Sequence, residues 1–302
     1  MSALSGLSEW KKVLFLFLFL VAGIFLFSIL GSIVILAVYG VDVMMNVSQS
    51  IFTPESIEAL KWLQAIQNVG MFVGPGIMLA FMYSNKQWAY LGLSKTTGSN
   101  ILLALAIILI SIPGVNFLAA VNELIPLSDW MLNKETTAEM LLNAFLSNSS
   151  TLGFIVNIAI ICIIPGFGEE IIFRGLLQKH FVKITKSQVW GIVISAFIFS
   201  AFHLQFKGFI PRFGLGLLLG YLYMKSGSIW LSVAAHTLNN IFAISVFSLM
   251  EKNLIGNQFE TIGTFGHHWI IGVAGIALVV FLITKIKKTP ISLDIDTAPE
   301  KL

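Results

Sequence analysis

The chain has 302 residues, of which 57% are hydrophobic and only 11% charged, with a formal net charge of +3; its mean hydropathy is +0.89. A water-soluble domain carries roughly 25% charged residues, so this chain lacks the polar surface it would need in water. A soluble enzyme or soluble binding module is excluded, and much of the apolar surface must face lipid.

A membrane span needs about 20 apolar residues, because the hydrocarbon core is about 30 Å thick and a helix rises about 1.5 Å per residue. In chain order, Val13 to Val38 is uncharged behind Lys11 and Lys12. Its Phe/Leu alternation has no polar face to justify a strand, and it is too long for a secretory signal, so it reads as a retained first span. Between it and the second span, Thr53 followed by Pro54, Glu55 and Glu58 reads as an N-capped helix start with proline in the first helical position. The second and third spans are expected at about Ala65 to Met82 and Ile101 to Val121, with kinks at Gly74-Pro75-Gly76 and Pro113-Gly114. A further helix start is expected after Asn133. Spans four to eight are expected near Phe154 to Leu177, Gln188 to Phe206, Phe213 to Met224, Ile229 to Leu249 and Trp269 to Thr284. Cys162 lies in the fourth as the one cysteine, which excludes an intrachain disulfide and speaks against a cysteine-based metal site.

The expected fold is therefore all-α, a polytopic transmembrane helix bundle of about eight spans. Residues 1–150 form an N-terminal region of about three spans, 151–287 a second transmembrane region, and 288–302 a flexible tail. Lysines gather in alternate connections (Lys86 and Lys95, Lys183 and Lys186, Lys225, then Lys285 and Lys287), with acidic residues on the other side. That bias places both termini in the cytoplasm. Lys207 and Arg212 fall on the wrong side, so their loop is an exception or dips into the bilayer. No repeat and no basic aromatic stripe for nucleic acid is present.

Ionisable residues inside spans are costly and mark function; here they lie in one stretch of the chain. In Pro165-Gly166-Phe167-Gly168-Glu169-Glu170-Ile171-Ile172-Phe173-Arg174, Glu170 and Arg174 are four apart and can pair on one helix face. Glu169 points about 100° away, unmatched, which makes it a candidate general base in an apolar setting. Phe199 and His203 share a face in the next span, as do His236 and Asn240 two spans later. The bland readings are an interfacial acidic helix and polar packing contacts between helices. Together, however, these residues offer carboxylates, two imidazoles and a carboxamide from three helices. Glu169 and His203 could deprotonate a water while His236 and Asn240 hold an oxyanion. Alternatively Glu169, His203 and His236 could ligate Zn²⁺ with an open position for water. Helical rise poses a difficulty: counted from Gln188 and Ile229, His203 lies roughly 22 Å up and His236 roughly 10 Å, so the groups meet only if helices tilt, bend or start at different levels. Gly214, Gly216 and Gly220 read as helix-packing positions, His267 and His268 beside Trp269 as interfacial anchors, and His180 beside Lys179 as a cytoplasmic surface residue.

Glu169-Glu170-x-x-x-Arg174, Phe199-x-x-x-His203 and His236-x-x-x-Asn240 in this order resemble the CPBP intramembrane protease family, also called the Abi or CAAX prenyl protease-like family. The likeness covers about Phe154 to Phe247. It implies that Glu169 activates water with His203, that His236 and Asn240 stabilise the oxyanion or His236 joins a metal shell, and that Arg174 orients Glu170 or its helix. The implied partner is a membrane peptide or protein substrate; a bacterial-type plasma membrane is the expected place because no organelle presequence is seen. A proton-coupled transporter, with Glu169, His203 and His236 as a relay, and a non-enzymatic immunity or scaffold protein are the competing classes.

Overall fold

The computed structural model describes residues 3–146, 150–256, 258–266 and 268–287. The tail expected over 288–302 and the anchoring role expected of His267 lie outside these residues. The main helices are α1 (Glu9–Ser48), α2 (Pro54–Tyr83), α3 (Gly98–Glu123), α4 (Asp129–Leu146), α5 (Thr151–Thr185), α6 (Gln188–Phe202), α7 (Phe209–Ser226), α8 (Ile229–Glu251) and α9 (Trp269–Ile283). Single helical turns occupy Gln87–Tyr90 and Gln258–Thr261.

The chain is a multi-pass membrane protein. Phe25 is 65% exposed, Ile29 59% and Val38 68%, all on α1. Helices apolar on every side satisfy their backbone internally and leave large side chains to the hydrocarbon. Among the described residues five helices are long and apolar enough to cross a membrane, namely α1, α2, α3, α5 and α8, where about eight spans are expected from the sequence. Helices α6 and α9 have 15 residues each, or about 22 Å against a core of about 30 Å. The apolar run of α7 is diluted by Pro211, Arg212, Lys225, two tyrosines and three glycines.

The Thr53 cap forms as read: Ser56 N–H donates to Thr53 Oγ1 and Thr53 N–H to Ser56 Oγ, with Pro54 in the first turn. The helix start after Asn133 does not, since Asn133 lies inside α4. At Gly74-Pro75 the chain absorbs proline's missing N–H through a π-helical turn at Val69–Val73, whereas α3 runs on through Pro113. Sequence pattern gave no sign of the break in α1 at Gly40, where φ is +86° and a residue with a Cβ would be strained.

Packing is set by small residues. A Cβ at Gly23 would lie 2.5 Å from Gly70 O, and one at Gly76 2.4 Å from an Ile171 methyl; α1, α2 and α5 can approach only because these side chains are missing. His180 corrects the surface reading. It is 1% exposed, its Nδ1 lies 2.6 Å from Glu9 Oε2, and its ring meets Tyr83 edge-on at 5.7 Å. The start of α1 therefore covers the end of α5.

Candidate active site in the α5–α6–α8 cleft

Helix α5 is not regular. π-helical turns at Ile158–Ile163 and Ile171–Gln178 flank the stretch Ile164–Glu170, and such turns favour functional sites because they re-aim side chains. Between them, Gly166 lets α5 touch α8: a Cβ there would meet Thr237 Oγ1 at 2.6 Å and Thr237 Cα at 3.4 Å. Gly168 allows Phe72 to approach on the other side, at 3.0 Å from such a Cβ.

Glu170 is fully buried, at 0% exposure. Its Oε1 accepts from Arg174 Nη1 at 2.7 Å and faces His236 Nδ1 at 2.9 Å. A carboxylate accepts, so the His236 proton sits on Nδ1 and the lone pair on Nε2. Arg174 is fixed three ways: by Glu170, by the Gly216 carbonyl at 3.1 Å, and by the Phe199 ring 4.8 Å from its Cζ. The ring of Phe199 also packs edge-on against His203 at 5.0 Å and His236 at 5.6 Å. His203 Nδ1 faces the Phe199 carbonyl at 2.8 Å, so it donates there and Nε2 again carries the lone pair.

The two free imidazole nitrogens converge on one atom. Glu169 Oε2 lies 3.9 Å from His203 Nε2 and 3.9 Å from His236 Nε2, and this buried oxygen has no hydrogen-bond partner. These separations are too long for direct hydrogen bonds and match a gap spanned by one water-sized donor. Glu169, His203, His236, Asn239 and Asn240 all line one cleft of about 460 Å³. An adjoining apolar arm of about 350 Å³ runs between α3 and α8, lined by Ile112, Phe242 and Phe247 among others. Thus the structure brings Glu169, Glu170, Arg174, His203 and His236 into direct contact or near it. Asn240 shares the cleft one turn beyond His236, its Oδ1 3.4 Å from Asn239 Nδ2.

The difficulty over helix depth disappears for a local reason. Helix α6 begins against the end of α5, where a Cβ at Gly191 would lie 2.3 Å from Val182. Helix α8 begins deeper: Ile229 N–H bonds to Gly92 O at 2.9 Å, and the neighbouring Leu91 O packs on Gly175. Gly175 lies roughly 15 Å along α5 from Thr185, which accounts for the difference of roughly 12 Å between the two counted heights.

Glu169, His203 and His236 are residue types that hold zinc. Two atoms bound to one zinc at about 2.1 Å stand roughly 3.4 Å apart at the tetrahedral angle, shorter than the two separations of 3.9 Å. Among the described residues no group of three His, Cys, Asp or Glu side chains is arranged to hold a metal ion, so this ligand set is not formed as the side chains stand. Three participants escaped the sequence reading. Gly216 and Gly220, read as packing positions, also present carbonyls to Arg174 and Gln178. Arg212, read only as an exception to the charge bias, lines the cleft.

Residues 151–242 match a family model described as "Type II CAAX prenyl endopeptidase Rce1-like", and these residues include Glu169, Glu170, Arg174, His203, His236 and Asn240. An uncharacterised protein of Bacillus subtilis (strain 168), YpbD, is 28% identical over 97 residues, which cover 30% of this chain and 47% of the relative. The chain thus spans about half the length of that curated relative. No solved structure matches the chain.

Proposed function

From the family membership of residues 151–242, we propose that the protein is an intramembrane endopeptidase hydrolysing a peptide bond of a membrane peptide or protein with a water activated by Glu169 and His203. The observation that carries this reading is the convergence of Glu169 Oε2, His203 Nε2 and His236 Nε2 at 3.9 Å in a cleft. A water among three acceptors has two protons to donate, so one further proton resides on the trio. Attack on the scissile carbonyl delivers a water proton to Glu169 or His203, and the same group returns it to the leaving amine. The further proton, placed on His236 Nε2, makes that ring a donor to the developing oxyanion beside the Asn240 carboxamide N–H, while Glu170, itself held by Arg174, fixes the ring through Nδ1. No step runs through a metal.

Three arms test the proposal: the purified protein incubated with a membrane-peptide library, its metal content by mass spectrometry, and solute flux in liposomes. New peptide termini from metal-free protein, absent with His203→Ala, are expected. One zinc per chain, lost with His203→Ala, would replace unassisted water activation by a Lewis-acid site. Proton-driven flux without hydrolysis would instead make the trio a relay.

Gly166 supplies a further check, because its neighbour Thr237 adjoins His236. Gly166→Ala is expected to cost about 1–3 kcal/mol through overpacking. By shifting His236 against Glu169 it also lowers turnover by roughly 100-fold. Thermal melting beside initial rates reads both; parental turnover would show that the spacing of α5 and α8 does not set the geometry.

A further inference from the structure

Arg212 takes no part in the chemistry above, yet it is built into the same cleft. Its Nη2 donates to Gln205 Oε1 at 2.6 Å and its Nη1 to the Gln205 carbonyl at 3.1 Å. The guanidinium rests on Gly208, where a Cβ would lie 2.7 Å from Nη2, 3.1 Å from Cζ and 3.2 Å from Nη1. Any other residue at position 208 would displace it. Both partners are neutral. Among the described residues no carboxylate lies within ion-pair distance of Arg212. The fields of Glu135 and Glu169 reach it, but Glu135 Oε1 accepts the Lys207 N–H at 3.0 Å and Glu169 faces the two imidazoles.

The position is costly in a second way. Arg212 lies in the first turn of α7, where the helix dipole disfavours a cation. Around that turn Ile210 N–H is bonded to Asn122 Oδ1 and Arg212 N–H to Gly208 O, so the hydrogen bonds there are made with neutral groups and bring no counter-charge. A half-buried cation without a counter-ion, clamped in place beside a candidate base, is what a site has when the counter-charge arrives with the ligand. Gln205 uses two of the five guanidinium donors, and the rest of the planar fork suits a carboxylate.

We propose that Arg212 is a specificity-determining residue that binds a carboxylate of the substrate within the cleft beside Glu169. The proposal rests on the peptidase reading for what the substrate is. The carboxylate is either the terminal one of a peptide chain or that of an acidic side chain near the scissile bond.

Binding separates the two and does not require turnover. Four fluorescent versions of one apolar peptide, carrying a C-terminal acid or amide and an internal Glu or Gln, are titrated into detergent-solubilised Glu169→Gln protein by anisotropy. One carboxylate-bearing version is expected to bind at least about tenfold tighter than its neutral match, and which one identifies the source. With Arg212→Gln added the ratio falls to about 1, and with Arg212→Lys it is intermediate, because the charge remains and the fork is lost. Equal affinities for all four, including no binding of any, overturn the proposal, as does a preference that survives Arg212→Gln. Because the first comparison needs no change at Arg212, poor folding of that variant does not decide the outcome. Cleavage of the same four peptides by the parent is read in parallel: no product from any of them counts against the peptidase reading, while the binding ratios still decide the role of Arg212.

Discussion

Glu169→Gln is expected to lower turnover by about 10²- to 10⁴-fold, the range a positioned general base contributes. The carboxamide has the shape of the carboxylate but cannot take a proton from water at neutral pH. Because Glu169 Oε2 has no hydrogen-bond partner, the exchange breaks no bond made by that atom and removes a desolvated charge. The melting temperature is therefore expected to hold or rise. Initial rates on a peptide that the parent cleaves, beside thermal melting in the same detergent, separate chemistry from folding. A folded variant with parental turnover would remove Glu169 from the role of base.

The opposite balance is expected at Arg174. Arg174→Met leaves Glu170 buried at 0% exposure without its cation, and stranding a buried charge costs about 3–5 kcal/mol. It also takes the donor from the Gly216 carbonyl and the cation from the face of Phe199. Adding Glu170→Gln should restore much of the loss, because the pair is then removed as a unit. Denaturation of the two single variants and the double one gives the coupling. If Arg174→Met were as stable as the parent, the ion pair would have no part in holding His236.

The site residues were conspicuous in the sequence for a physical reason. Charges and imidazoles in lipid-length apolar runs have no cheap explanation, and Glu170 with Arg174 obeyed helical spacing closely enough to be paired from numbering alone. The level of each helix could not be read that way, because it depends on a contact such as Ile229 N–H to Gly92 O that no periodicity encodes. His180 was misplaced because its neighbours are lysines, while the group that buries it, Glu9, lies at the far end of the chain. Arg212 was visible but was weighed only against the charge bias of loops. Apolar composition also continues where helices stop, as at Phe202 in the run expected to reach Phe206, so some expected spans correspond to helices shorter than a full crossing.

The π-helical turns in α5 bear on how such a chain can change by insertion and deletion. A π turn holds one residue more than an α turn, so deleting a single residue from Ile158–Ile163 would let the helix close into regular α form. Six residues at the π pitch and five at the α pitch sweep nearly the same angle, so the segments on either side would keep their phase and Glu169 would still turn toward the cleft. The same deletion in a regular α-helix would rotate one side by about 100° relative to the other. The π turn is thus a place where this helix can lose a residue and keep its carboxylate facing the imidazoles, so a one-residue gap there in an otherwise motif-bearing relative would not by itself mark a dead site.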